Sequence, residues 1–404
     1  MSSEAKKYRR HRRYWRILWP TMGKLIWRKF RFSAEPIPCE GAYLLITNHV
    51  TSYDPILLGK SSRKQQIYYV SSEHLFRLGW ISKVISHIVD PIPRMKAASG
   101  ADSVRMMLKR LKDGQAICLF AEGEQSWDGR SIGIVPSTGK MIRLSGVPLV
   151  TYRIEGGYLA LPRWRRKVCK GRVYGHPVKV YQPEELKRMK PEEITDCINR
   201  DIYEDAWERQ KQESVIFKGR KRAEGMETAV YLCPACRKIG TLHSKKSRVF
   251  CDCGFSLEYT ETCRFEPAEP FENVGEWIAW QKTALGELIN AYAEESESAS
   301  VDPSEIEGSG SEAIFSDEGG TLSLLDSGHE EKQLGEGRLI QYADRLEAAG
   351  HTFPCAEIED MAMVMNRRLL ISTAKEYYEI RAPKGSNLKK YLDFYELNAD
   401  HGKN

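Results

Sequence analysis

The stretch Tyr43-Leu44-Leu45-Ile46-Thr47-Asn48-His49-Val50-Thr51-Ser52-Tyr53-Asp54-Pro55 passes from a short apolar run straight into a polar turn that ends on a proline. Five residues of this kind read as a strand. Thr51 and Ser52 suit the turn through side-chain to backbone bonds, and Asp54-Pro55 reads as an N-cap followed by a proline at the first helical position. The unit is therefore strand, turn, helix. Runs at 66–70, 116–120 and 148–154 read as further strands, with helices between them. The clearest helix carries Val104, Met107, Leu108 and Leu111 on one face, starts near the capping candidates Ser99 and Asp102, and stops at Gly114. Such alternation predicts an α/β domain with a mixed, largely parallel sheet over 33–215, closed by helices within 182–215.

Within that frame His49 lies at the end of a strand, where an imidazole can serve as a general base. A carboxylate on its other ring nitrogen would fix the tautomer, and Asp54 is the candidate. Five positions along a helix are about 140° apart, so the two meet only if the chain turns between them. The plainer reading is that Asp54 only caps and His49 is an incidental loop residue. A second segment, Leu119-Phe120-Ala121-Glu122-Gly123-Glu124-Gln125-Ser126, also ends a strand in a carboxylate and a glycine. If the strands are parallel, both ends fall at one edge of the sheet.

Together these segments resemble the lysophospholipid and 1-acylglycerol-phosphate acyltransferase family, whose hallmarks are Asn-His-x4-Asp and a later Phe-Pro-Glu-Gly-Thr-Arg-Ser. The resemblance covers roughly 35–185 and includes Gly146-Val147-Pro148-Leu149-Val150 as its last block. It implies that His49 deprotonates an acceptor hydroxyl, that Asp54 orients His49, and that Glu122 and Gly123 line the acceptor site with Gln125 and Ser126. Acyl-CoA or acyl carrier protein is the implied donor, and a lysolipid, first of all 1-acylglycerol-3-phosphate, the implied acceptor. Arg94, in Asp90-Pro91-Ile92-Pro93-Arg94, matches the block whose arginine is associated with the acceptor phosphate, a role suited to a guanidinium. The chain departs from the family where Glu124 and Gln125 replace threonine and arginine. Either Arg94, Lys96 or Arg130 supplies the missing cation, or the acceptor is a non-phosphate or amino lysolipid. A non-catalytic lipid-binding adaptor is the alternative from a different class.

Outside this core, residues 1–32 hold eleven Lys or Arg against Glu4, whereas 293–331 hold acidic residues and neither Lys nor Arg. Trp15, Leu18, Trp19, Met22, Leu25, Ile26 and Phe30 recur at helical spacing, with a break at Pro20. This basic amphipathic segment, 1–32, is expected to bind anionic lipid at a membrane surface. A second basic and aromatic run, Pro162-Arg163-Trp164-Arg165-Arg166-Lys167, is a candidate to meet headgroups or an acyl carrier protein. With 41% hydrophobic residues, no secretory signal and no run of the roughly 18 apolar residues that span a bilayer, the expectation is a peripheral protein on the cytoplasmic face.

The basic run Lys218-Gly219-Arg220-Lys221-Arg222 precedes a new unit. Cys233-Pro234-Ala235-Cys236 and Cys251-Asp252-Cys253-Gly254 resemble a zinc ribbon, assigned to 216–265, in which Cys233, Cys236, Cys251 and Cys253 bind one structural zinc ion. The second knuckle is short, which keeps His243 and Cys263 as conceivable substitute ligands. The hairpin offers Lys245, Lys246 and Arg248 without interleaved aromatics, so no nucleic-acid partner is expected. A helix over 266–293 and an acidic disordered linker over 294–313 follow. The final 314–404 reads as short strands and a helix, an α+β domain weakly similar to pleckstrin-homology or GRAM domains.

Overall fold

The computed structural model describes residues 3–62, 65–77, 79–94, 100–298, 313–326, 331–383 and 385–401. It divides into two compact units, Met1–Arg222 with Thr260–Arg264, and Ala223–Tyr259 with Phe265–Asn404.

The first unit opens with helix α1 (Ser3–Leu18), a wide turn at Trp19–Gly23 and helix α2 (Lys24–Phe30). Pro20 lacks the amide hydrogen that a continuous helix requires. The chain widens there into π-type winding, and the Thr21 hydroxyl donates to the Ile17 and Leu18 carbonyls. Seven strands follow, β1 (Phe32–Ala34), β2 (Leu44–Thr47), β3 (Ile67–Ser72), β4 (Ile92–Arg94), β5 (Ala116–Leu119), β6 (Leu149–Glu155) and β7 (Val173–Tyr181). They form one sheet in the order β1-β7-β6-β2-β5-β3-β4. The five strands from β6 to β4 run parallel, β7 is antiparallel to β6, and β1 is parallel to β7.

Helices α3 (Asp54–Leu58), α4 (Trp80–Ile88), α5 (Ala101–Lys112) and α6 (Thr138–Ser145) link the parallel strands, and α7 (Gly157–Ala160), α8 (Pro183–Arg188), α9 (Pro191–Ile202) and α10 (Ala206–Glu213) complete the unit. Every residue of β2 is buried, as the uninterrupted apolar run requires of a central parallel strand. Leu44 and Ile46 share a core with Met107 and Leu111 of α5, Met141 and Ile142 of α6, and Ile194 and Ile198 of α9. Gly100 precedes α5, Asp102 lies inside its first turn, and Ser99 falls outside the described residues. Sequence periodicity missed β1, β4 and β7: the first two are only three residues long, and β4 and β7 each contain a proline.

The tryptophans expected at a membrane surface face inward instead. Trp15, Trp19, Trp27 and Phe30 are buried, and the Trp15 and Trp27 indoles donate to the carbonyls of Ser62 and Ile56. Trp19 seats so closely on Gly59 that a Cβ there would lie 2.4 Å from the ring. An indole N–H needs a partner once desolvated, and the Trp15 and Trp27 indoles find theirs within the protein. Leu18 and Ile26 are half-buried, while Met22 and Leu25, joined by Ile17, stay exposed. The second basic run is likewise mostly interior: Trp164 and Arg165 are buried, the Arg165 guanidinium donates to the Leu159 and Arg222 carbonyls, and Arg166 and Lys167 alone are exposed.

The second unit starts at Ala223, directly after the basic run that ends at Arg222, so residues 216–222 of the segment assigned to the ribbon belong to the first unit. Phe217 is buried in the first unit, where its N–H donates to the Glu261 carbonyl. Strands β8 (Leu242–Lys245), β9 (Arg248–Cys251), β10 (Ser256–Tyr259) and β11 (Phe265–Glu266) form an antiparallel sheet. Helix α11 (Val274–Ser298) continues five residues past the expected end, and 299–312 of the expected linker lie outside the described residues. Strands β12 (Phe315–Leu325), β13 (Glu331–Gln341), β14 (Arg345–Ala348), β15 (His351–Pro354), β16 (Asp360–Val364), β17 (Arg368–Ser372) and β18 (Tyr377–Arg381) then make an antiparallel sheet in the order β15-β14-β13-β12-β18-β17-β16, followed by helix α12 (Lys389–His401). The four-stranded and seven-stranded sheets share this unit. The Tyr231 hydroxyl donates to Asp393 on α12, the Trp277 indole of α11 donates to the Leu232 carbonyl, and Gln281 of α11 bonds the backbone of Ala229 and Tyr231. Among the described residues, no helix is long and apolar enough to cross a membrane.

Candidate functional site

Because β2, β5, β3 and β4 are parallel, His49, Glu122 and Arg94 all emerge at the same edge of the sheet. Asn48 fixes the end of β2. Its amide oxygen accepts from the Ile154 N–H at 2.8 Å and its NH2 donates to the Ile154 carbonyl at 2.9 Å, which ties β2 to β6 beyond their last backbone pairing.

The chain then folds back on itself. Asp54 Oδ2 lies 2.8 Å from His49 Nδ1 and also accepts the N–H groups of Val50 (2.8 Å) and Thr51 (3.0 Å), while Oδ1 accepts the Thr51 hydroxyl at 2.8 Å. An oxygen already accepting two backbone hydrogens must accept from the ring too, so Nδ1 carries the hydrogen and Nε2 presents its lone pair. Asp54 is fully buried and the His49 side chain is 20% exposed. This arrangement corrects the capping role expected of Asp54. Tyr53 occupies the cap position, Asp54 and Pro55 form the first helical turn, and the carboxylate turns back onto the loop because four donors hold it there.

Phe120 stacks on the imidazole at 4.3 Å between centroids, which limits its rotation. Glu122 is directed inward. One carboxylate oxygen accepts the His49 N–H and the other the Ile132 N–H, both at 2.9 Å. Burial outweighs those two bonds and pushes its pKa up to about 8. Glu122 thus supports the backbone of His49, and its carboxylate does not line the expected acceptor site. Gly123 has φ +79 at the turn, the left-handed conformation that glycine adopts without strain. The Gln125 amide nitrogen lies 3.5 Å from His49 Nε2. Ser126 donates its N–H to the His49 carbonyl, and its hydroxyl pairs with Asp128 and Gly129.

Arg94 is half-buried at the end of β4, in register with Ser72. Three strand spacings of about 4.8 Å separate β4 from β2, so its backbone stands roughly 14 Å along the edge from that of His49. Arg130 is engaged elsewhere, with Asp205 at 2.9 Å and Asp128 at 3.6 Å, and Lys96 lies outside the described residues. Sequence reading placed Arg163 in a surface patch, whereas its side chain is 6% exposed, meets Glu124 at 3.1 Å and the Gln125 carbonyl at 3.3 Å, and covers the Trp127 ring. Nothing in its local sequence signals that contact, because its partners lie 36–39 residues earlier.

In the second unit the sulfurs of Cys233, Cys236, Cys251 and Cys253 all lie within 4.8 Å of one another. Cys233 to Cys253 and Cys236 to Cys251 are each 3.7 Å. Zn–S bonds of about 2.3 Å in a tetrahedron give S···S edges of about 3.8 Å, whereas a disulfide requires about 2.05 Å. Four thiolates at that spacing fit a closed metal site. The group contains neither conceivable substitute: it is Cys233, Cys236, Cys251 and Cys253, and the His243 imidazole instead meets Asp252 at 2.8 Å.

Residues 29–155 match the family model described as Acyltransferase. Among solved structures, the chain is similar to the 1-acyl-sn-glycerophosphate (LPA) acyltransferase PlsC from Thermotoga maritima, with 19% sequence identity, a TM-score of 0.38, and coverage of 47% of this chain and 80% of that one. The family match supports an acyltransferase domain over the segment that carries His49, Asp54, Arg94 and Glu122.

Proposed function

We propose that this protein transfers an acyl chain from acyl-CoA or acyl carrier protein to the hydroxyl of a lysolipid, with 1-acylglycerol-3-phosphate the first acceptor to test. The observation that carries the reading is the buried Asp54 carboxylate, which fixes the His49 tautomer and leaves Nε2 as a base at the sheet edge. The acceptor hydroxyl oxygen attacks the thioester carbonyl carbon as Nε2 takes its proton. The tetrahedral intermediate then collapses, the C–S bond breaks, and the departing thiolate recovers the proton from His49. Asp54 stabilises the imidazolium in between. A phosphate-free acceptor is the second reading, favoured by Arg130 and Arg163 being held in ion pairs while neutral Gln125 faces the base.

Membrane-surface binding fits the exposed Ile17, Met22 and Leu25 on the first two helices and the turn between them, the exposed Trp80, Ile81 and Val84 on α4, and the exposed cations Arg9, Arg13, Arg16 and Arg28. The Tyr14 hydroxyl, 3.2 Å from the His87 ring, brings α1 and α4 together. Exposed apolar side chains and exposed cations on the same helices suit anionic lipid. We assign zinc to the four cysteines, which would hold it in a structural role. We read β12–β18 with α12 as a pleckstrin-homology-like domain, on the ground of seven antiparallel strands closed by a C-terminal helix.

Thiol release tests the central reading. The purified full chain is incubated with palmitoyl-CoA and, separately, lysophosphatidic acid, lysophosphatidylcholine and monoacylglycerol in mixed micelles. At least one acceptor should release thiol, and an equal rate from His49→Ala would sink the assignment.

A further inference from the structure

The acyl-transfer reading needs a donor for the negative charge that develops on the thioester oxygen, and the surroundings of His49 narrow the choice. The backbone N–H groups of Val50 and Thr51 are committed to Asp54, that of His49 to Glu122, that of Gly123 to Phe120 and that of Ser126 to His49. The Asn48 amide is spent on Ile154. The Gln125 carboxamide faces the site directly, with its nitrogen 3.5 Å from His49 Nε2.

We propose that Gln125 is a catalytic residue whose side-chain N–H donates to the oxyanion of the tetrahedral intermediate. This rests on the acyl-transfer reading of the same site. The carboxamide faces the lone pair that must receive the acceptor's proton, so it marks the place of the acceptor hydroxyl. An entering hydroxyl oxygen sits about 2.8 Å from Nε2, and the carbon it attacks lies about 3–3.5 Å further on. The displaced amide therefore has to move by roughly one hydrogen-bond length to meet the carbonyl oxygen. Its side-chain torsions allow that movement. Its backbone stays in place, because the Arg163 guanidinium holds the Gln125 carbonyl and the Glu124 carboxylate while stacked 4.2 Å above Trp127.

The charge movement balances without another reactant. The C=O π electrons move onto oxygen as the acceptor O–C bond forms, the proton passes to His49, and the electrons return when the C–S bond breaks. Gln125 donates throughout and neither gains nor loses a proton. A preformed donor of this kind acts on the transition state more than on the bound substrate.

The test measures kcat and KM for Gln125→Met, which keeps length but has no donor, and for Gln125→Lys, which keeps one. It uses palmitoyl-CoA and whichever lysolipid the wild-type chain turns over, with thermal melting to confirm that both variants are folded. Gln125→Met should lower kcat by about 10²-fold with KM within about threefold, and Gln125→Lys should recover to within about tenfold of wild type. The proposal is overturned if Gln125→Met keeps its plateau kcat and only the acid limb of the pH profile moves, or if the lysine variant is as slow as the methionine one. His49→Ala in the same assay separates the two ideas: a fully active His49→Ala removes the assignment of His49 as base on which this rests, whereas a His49-dependent enzyme indifferent to residue 125 removes this one alone.

Discussion

Replacing Asp54 by Asn should separate the two tasks that its carboxylate performs. Three donors converge on Oδ2, namely the His49 ring and the Val50 and Thr51 N–H groups, and the Thr51 hydroxyl meets Oδ1. An asparagine can place its oxygen at the former Oδ2 position and keep all three. Its NH2 then faces the Thr51 hydroxyl, which can rotate to accept. What is lost is charge. Each bond falls from about 1.5–3 kcal/mol to about 0.5–1.5, so three bonds cost about 3 kcal/mol of stability. The rate suffers separately. A carboxylate about 4 Å from the centre of the imidazolium charge contributes about 4 kcal/mol at an effective dielectric of about 20, slightly less here because His49 is one-fifth exposed. Its removal should lower kcat/KM by about 10²–10³-fold. Asp54→Ala is harsher for the fold, since it strands the Val50 and Thr51 donors at about 1–3 kcal/mol each. Thiol-release kinetics paired with urea unfolding measure both quantities. If Asp54→Asn kept a third or more of wild-type kcat/KM while His49→Ala was inactive, the orienting role of Asp54 would be refuted.

Burial holds the Glu122 proton to about pH 8, whereas an unfolded glutamate loses it near 4.5. Native protein therefore binds that proton more tightly, and stability should fall as pH rises from about 4.5 through 8. Urea midpoints across that range should show this decline flattened in Glu122→Gln, and an unchanged slope would count against it. Zinc, measured by atomic absorption, should be near one per chain and drop in Cys233→Ser. Because the Tyr231 and Leu232 backbone anchors α11, the same variant should lower the melting temperature of the second unit, and loss of metal without that effect would argue against a structural site. Changing Ile17, Met22 and Leu25 together to Ser should cut co-sedimentation with phosphatidylserine vesicles several-fold while kcat in micelles stays put; unaltered sedimentation would place the membrane contact elsewhere.

The four central strands and the His49–Asp54 contact were legible because continuous apolar runs and a turn before proline are local signals. The direction of each side chain was not. The periodic tryptophans of the N-terminal helices fit a lipid surface and a protein core equally well, and what decides for the core is Gly59, a gap in another element into which Trp19 fits. Glu122 belongs to the right motif, but its aim depends on two amides, one of them ten residues later. Arg163 was misplaced for the same reason: a cation next to tryptophan reads as surface until its acid partner is seen. Chemistry held by neighbours in the chain can be read from spacing, and chemistry held by partners across the fold cannot.

The Asn48 amide bridge to Ile154 has a bearing on synthesis. It joins residues 106 apart, and β2 is flanked in the sheet by β5 and β6, both made much later. A ribosome that has finished His49 and Asp54 has therefore not yet produced the strand that fixes the end of β2. Closing so distant a contact is slow and late in folding. The growing chain carries an unaimed histidine until residue 154 has emerged, so a product cut just short of it should be inert although His49, Asp54 and Gln125 are all present.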